Sequence, residues 1–231
     1  RFWQAIWFNI RYAIMLDIGV ILISLLIALA LNNLKGKTST LFRSIFFIPA
    51  VLSLVTVGLI WNELFLRAFP PIGEALGIEW LSKSILGSPA TAIFGILIVN
   101  LWQGCATPTV LLLAGLQSVP SDLYEAATID GANAWQKFKN ITVPFLIPII
   151  TMLVITTTKG GLTIFDYIQA MTAGGPAQST EAIGILIYRH AMSEGKFAQS
   201  VAESMCLFVI VAIVSFLTIK ISSKKEVGDD A

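Results

Sequence analysis

Two groups of residues in this chain could do chemistry, and neither is built to break bonds. The first lies inside apolar runs: Asn100, Trp102, Gln103, Gly104 and Thr107, then Thr156, Thr157, Thr158, Lys159, Gly160, Gly161 and Thr163. Amides, hydroxyls and one ammonium in such surroundings recognise a polar ligand, or one another, through hydrogen bonds. The second is a polar stretch, Gln117 to Thr142, built around Glu125-Ala126-Ala127 and Gly131. No nucleophile–base–acid set accompanies either group. His190 is the one histidine in 231 residues, which excludes a multi-histidine metal site. Cys105 and Cys206 fit no metal or disulfide spacing and are expected to be buried free thiols. Gly36-Lys37-Thr38 looks like the end of a phosphate-binding loop, but Leu31 replaces the first glycine and an apolar run, not a strand, precedes it. The chain itself is therefore not expected to bind a nucleotide.

The elements that position these groups follow from composition. Hydrophobic residues make up 56% of the chain and charged residues 13%, with a mean hydropathy of +0.81. A soluble domain carries about 25% charged residues, so an ordinary water-soluble globule is excluded. The net charge of +1 gives no electrostatic case for nucleic acid. Crossing about 30 Å of hydrocarbon at about 1.5 Å per residue takes about 20 apolar residues. Five runs qualify: Tyr12–Leu31, Ile45–Leu64, Ala90–Leu116, Val143–Ile168 and Val201–Ile221. They are apolar all round, without the charged face of a soluble amphipathic helix. The expected fold is an all-α, polytopic membrane bundle of about five transmembrane helices. Residues 1–11, with Arg1, Trp3 and Trp7, read as an interfacial segment, residues 12–221 as the membrane domain, and 222–231 as a tail. The chain opens without an initiator methionine or a signal-peptide pattern, so residues are expected to precede Arg1, with room for a further helix.

Five spans put the start and the tail on opposite sides. Lys35, Lys37, Arg43, Lys137, Lys139, Lys220, Lys224 and Lys225 fall on one side, and Arg1, Arg11, Arg67, Lys83, Arg189 and Lys196 on the other. The positive-inside rule then assigns Asn32–Ser44, Gln117–Thr142 and the tail to the cytoplasm. The local signal is cleaner, because Asn32–Ser44 holds three bases and no acid.

Gln117–Thr142 reads as a helix–turn–helix. Pro120 stops the preceding span, Ser121 or Asp122 can cap a helix, and Asp122 and Glu125 place negative charge at its positive end. Leu123, Ala126 and Ala127 form a small apolar face. Gly131 can adopt the left-handed conformation that ends a helix. Trp135 and Phe138 lie three apart on a second helix, with Pro144 and Pro148 expected at its joint with the fourth span. Such a projecting helix fits a partner's groove. The same pattern also suits a helix lying on the bilayer.

These residues resemble the EAA loop of binding-protein-dependent ABC importer permeases of type I. Glu125-Ala126-Ala127, Gly131, Ile141 and Pro144 stand at the family's spacing. Leu113-Ala114-Gly115-Leu116-Gln117-Ser118-Val119-Pro120, Phe165-Asp166, Gly174-Gly175-Pro176, Thr180-Glu181, Tyr188-Arg189 and Arg43–Pro49 resemble the maltose-type, carbohydrate-uptake branch. The resemblance implies a prokaryotic plasma-membrane subunit, multi-pass, that imports a sugar or oligosaccharide by alternating access. It implies three partners besides lipid: a second, homologous permease, a cytoplasmic ATPase dimer and an extracytoplasmic solute-binding protein. Leu123, Glu125, Ala126, Ala127, Asp130 and Gly131 would couple to the ATPase, which would hold ATP and magnesium; this chain would hold no cofactor and catalyse no reaction.

The resemblance also places Asn100, Gly104, Thr107, Thr157, Gly160, Gly161 and Ile164 at or near the sugar site. Gly161 and Thr107 stand where the maltose permease has an asparagine and a tyrosine, which implies a differently shaped cavity. Polar groups at that depth should face the bundle interior or a water-filled cavity, and Gly160 and Gly161 also suit close helix packing. Lys159 needs an acid, a carbonyl or an anionic solute. Asp17 and Glu203 read as lying near span ends, solvated or paired structurally. A permease for another polar or anionic solute is the alternative. A self-contained secondary transporter would show an internal repeat or a coupling-ion site, and neither is visible.

Overall fold

The computed structural model describes residues 1–34 and 36–226, with side chains of 36–39 and 221–226 left out of the account. The described residues form helices joined by turns and loops, with no strand. The helices are α1 (Phe2–Asn32), α2 (Gly36–Phe47), α3 (Leu54–Glu63), α4 (Phe69–Leu76), α5 (Ala92–Gly104) and α6 (Ala106–Ser118). They continue as α7 (Ser121–Ile129), α8 (Ala134–Lys137), α9 (Val143–Leu162), α10 (Asp166–Met171), α11 (Ile183–Tyr188) and α12 (Phe197–Glu226). Three stretches are each long and apolar enough to cross a membrane: α1, Ala134–Leu162 and Phe197–Lys220. Two bent pairs, Thr40–Val51 with Leu54–Leu76 and α5 with α6, bring the total to as many as five when each pair counts as one span.

The runs predicted from hydropathy correspond to these five, with different ends and joints. Residues 1–11 are the opening turns of α1, which is unbroken over 31 residues. At about 1.5 Å per residue that helix exceeds the roughly 30 Å of hydrocarbon. The second run is not one helix. Its halves meet at 95°, because Pro49 lacks an amide hydrogen and the chain closes in a 3₁₀ turn, Ile48–Val51, before Leu52 and Ser53 go extended. The third run kinks by 46° between Gly104 and Ala106. There Pro108 removes the bond that the Gly104 carbonyl would have accepted.

The fourth run stops at Leu162 rather than Ile168. Its last carbonyls are taken by a neighbour: the Asn9 amide donates to Gly161 O (3.3 Å) and Leu162 O (2.9 Å). Orphan carbonyls at a buried helix end need such a partner. Pro144 and Pro148 do not form a joint. A π turn, Phe138–Thr142, carries α8 into α9 as one stretch. The tail expected at 222–231 continues α12 as far as Glu226, and 227–231 lie outside the described residues.

Helix α1 is the central post, packed against α9, α6, α5 and α11. Tyr12, Leu16 and Val20 meet Val57, Ile96, Val99, Tyr167 and Ile168 in one cluster. Ala28 and Leu31 meet Leu112, Leu116, Leu146 and Leu153 in another, toward α7. The outward faces stay apolar and exposed, as on α12 at Met205, Phe208 and Phe216, which suits lipid contact. Cys105 is buried as expected; Cys206 is exposed on that outward face. At the end opposite α7, buried Glu181 pairs with Arg1 (3.1 Å) and with Arg189, tying α1 to the segment before α11.

Candidate functional site

The bends in the second and third runs open the bundle. Between them lies a cavity of about 420 Å³. Asn100, Gly104 and Thr107 reach it from the kinked pair α5–α6, Thr157 and Gly160 from α9, and Thr163 from the residue that caps α9. Ile164, Phe165, Asp166 and Tyr167 close it where α9 gives way to α10, and Leu16 and Val20 of α1 form its apolar wall. The kink at Gly104 and the early stop of α9 thus bring together residues far apart in sequence.

Internal hydrogen bonds hold several of these side chains. Asn100 donates to the Tyr12 hydroxyl at 2.9 Å. Gln103 donates to the Leu52 carbonyl at 2.8 Å and accepts from the Tyr167 hydroxyl at 2.7 Å. One amide therefore satisfies the carbonyl freed where the second run breaks, as buried backbone in a membrane requires. Thr157 and Thr158 donate to Asp17 of α1, the latter at 2.6 Å. Asp17 thus lies mid-helix, bound to the cavity wall, and not near a span end.

Of the residues placed at the site from sequence, Asn100, Gly104, Thr107, Thr157, Gly160 and Ile164 line the one cavity. Gly161 does not. A Cβ there would stand 2.6 Å from Ala13 Cα, so this glycine exists for close packing of α9 on α1. A Cβ on Gly160 would meet nothing within 4 Å. Lys159 is exposed on α9, outside the cavity lining, and its ammonium makes no hydrogen bond or ion pair among the described residues. Glu203 is buried and meets His190 at 2.8 Å, a structural pair.

The second candidate element projects from the far end of the bundle. Helix α7 buries none of its nine residues. Leu123 is 40% exposed and Ile129 87%; Glu125, Ala126 and Asp130 are exposed as well. Neither Ser121 nor Asp122 caps the helix through its side chain; Pro120 holds the cap position. The C-terminal end closes as a Schellman motif. Ala132 N–H donates to Ala127 O at 2.8 Å and Gly131 N–H to Thr128 O at 3.1 Å, with Gly131 at φ +78°. Asn133 and Gln136 form a reciprocal capping box that starts α8. The Asn-x-x-Gln spacing is the sequence signal for that box. Tyr124 and Thr142 share a hydrogen bond of 2.8 Å, and Lys137 donates to Thr128 at 2.7 Å, so the hairpin is braced on both sides.

A protein-family description, the inner membrane component of binding-protein-dependent transport systems, matches residues 20–224. The chain belongs to that family. This permease is 45% identical over 228 residues to the multiple sugar-binding transport system permease protein MsmF of Streptococcus mutans, covering 98% of this chain and 78% of that one. It is 32% identical to the trehalose/maltose transport system permease protein MalF of Thermococcus litoralis, over 96% and 75% of the two chains. It is 33% identical to the lactose transport system permease protein LacF of Rhizobium radiobacter, over 94% and 74%. Among solved structures, a bacterial ABC transporter involved in the import of the acidic polysaccharide alginate superposes with a TM-score of 0.85 at 21% identity, covering 96% of the permease and 78% of that chain. That likeness establishes the fold. The permease is thus a multi-pass inner-membrane transport component, as the EAA-loop resemblance implied.

Proposed function

We propose that the permease imports a sugar or short oligosaccharide, handed over by an extracytoplasmic binding protein, across a prokaryotic inner membrane. The observation that carries this is the cavity between α1, α5, α9 and α10, where amide, hydroxyl and carboxylate groups meet apolar walls inside a bundle of helices long and apolar enough to cross a membrane. Polar side chains facing lipid would be costly there, so they belong to a solute path. Sugar-binding sites combine a few placed polar groups with apolar surface. The sugars named for the relatives above support the same solute class.

In this reading α7 docks on a cytoplasmic ATPase through Leu123, Glu125, Ala126, Ala127, Asp130 and Gly131. The ATPase supplies ATP and magnesium chemistry; this chain supplies the path and the coupling. A second, homologous permease completes the cavity. It also provides the partner for Lys159, whose ammonium is exposed on α9 with none among the described residues. Closure of the ATPase dimer moves α7, and α8–α9 carries the movement to Thr157 and Gly160, a rigid-body switch between two states of the bundle.

Reconstitution tests the proposal. Purification should recover an ATPase and a second permease with this chain, and proteoliposomes containing them should take up a labelled sugar in the presence of ATP and the binding protein. Uptake without the ATPase would overturn the reading.

A further inference from the structure

The cavity holds one carboxylate that its own wall does not employ. Asp166 opens α10 and lines the cavity beside Phe165 and Tyr167. Its side chain makes no hydrogen bond and no ion pair among the described residues. Its polar neighbours are differently placed: Asn100 is held by Tyr12, Gln103 by Leu52 and Tyr167, and Thr157 by Asp17. Those groups fix the shape of the wall. Asp166, which shares the lining with Thr107, is left with its side-chain hydrogen-bonding capacity free among the described residues.

The charge on this chain's side of the cavity has one sign. Among the described residues no lysine or arginine lines it. A second carboxylate, Asp17, stands directly behind Thr157. Lys159 is on α9 but outside the lining. A carboxylate at membrane depth persists where it faces water or a ligand that satisfies it. Its oxygens accept hydrogen bonds only, and charge-assisted bonds from hydroxyls are the strong kind. An anionic solute would instead meet like charge on this wall, in a site of lowered dielectric.

We propose that Asp166 is a solute-contacting residue that accepts hydrogen bonds from the hydroxyls of an uncharged sugar, and that this permease therefore handles neutral rather than acidic saccharides. The inference rests on the sugar reading above and narrows it. The alginate importer shares the fold, and nothing in a shared fold fixes the sign of charge in the cavity.

The test uses the assembled importer in proteoliposomes, with binding protein and ATP, and four labelled probes: maltotriose, raffinose, melibiose and trigalacturonate. Uptake of at least one neutral probe and none of trigalacturonate is expected. Asp166→Asn should lower uptake of the accepted probe about tenfold, the size of a lost charge-assisted hydrogen bond, with ATP hydrolysis kept within about twofold. Among monodeoxy analogues of that probe, one should be carried equally by wild type and Asp166→Asn, because its missing hydroxyl is the one Asp166 holds. Asp166→Glu, which keeps the acceptor, should lose less than Asp166→Asn. A merely structural role would lower uptake and ATP hydrolysis together and would leave no analogue matched; that result overturns the proposal, as does trigalacturonate uptake by wild type or full activity of Asp166→Asn. Failure of all four probes would instead sink the sugar reading itself.

Discussion

The hydroxyl of Tyr124, on the projecting helix α7, lies 2.8 Å from the hydroxyl of buried Thr142, in the π turn that leads into α9. This bond crosses from the element that would meet the ATPase to the helix that lines the cavity. The backbone connects the two only through the Gly131 turn, so the side-chain bond is a shorter route. π turns recur at functional sites in helices.

Tyr124→Phe keeps the ring and deletes the bond. About 1 kcal/mol of coupling, or roughly fivefold, is the expected loss. The measurement is sugar carried per ATP hydrolysed in proteoliposomes. Expected is a fall in that ratio with the ATPase still bound; an unchanged ratio would remove Tyr124 from the transmission route.

Gly131 has φ +78° and open space where a Cβ would go. Aspartate tolerates the left-handed region better than most residues, so Gly131→Asp should insert and fold. Its added charge would lie on the proposed docking face, and ATPase recovery in a pull-down should drop about tenfold or more, the loss expected of an uncompensated charge in an interface. Gly131→Ala, with about 1 kcal/mol of local strain and no charge, should retain the ATPase.

The adjacent glycines of α9 should behave oppositely. A methyl at Gly161 would press on the Ala13 backbone at 2.6 Å, and overpacking costs about 1–3 kcal/mol. Gly161→Ala should therefore lower the thermal midpoint of the detergent-solubilised complex. Gly160→Ala enters the cavity and should leave the midpoint unchanged while altering uptake. Equal midpoints for the two variants would contradict the packing described here.

Gln103→Leu leaves the Leu52 carbonyl and the Tyr167 hydroxyl without their partner. Each unsatisfied buried group costs about 1–3 kcal/mol. The bend of the second span should loosen, seen as faster proteolysis or amide exchange around Leu52–Ser53. Gln103→Glu, which keeps an acceptor for Tyr167 but loses the donor to Leu52, should show the same loosening at Leu52 alone.

Hydropathy and punctuation fixed much in advance. Five apolar runs, the polar loop with its Gly131 turn, and the setting of Asn100, Thr107 and Thr157 inside apolar runs are all legible, because burying an uncharged helix in hydrocarbon is a local property of about 20 residues. The joints were not. Breaks at Leu52 and Leu162 depend on who receives the freed carbonyls, and Gln103 and Asn9 do so from other helices. The sequence also could not divide Gly160 from Gly161, or place Asp17 mid-wall and Lys159 outside the cavity. Which face of a helix meets a neighbour is set by the packing of α1 against α9, and neighbouring residues on a helix are turned about 100° apart. Residue type and depth are written along the chain; direction and partnership arise only when the helices assemble.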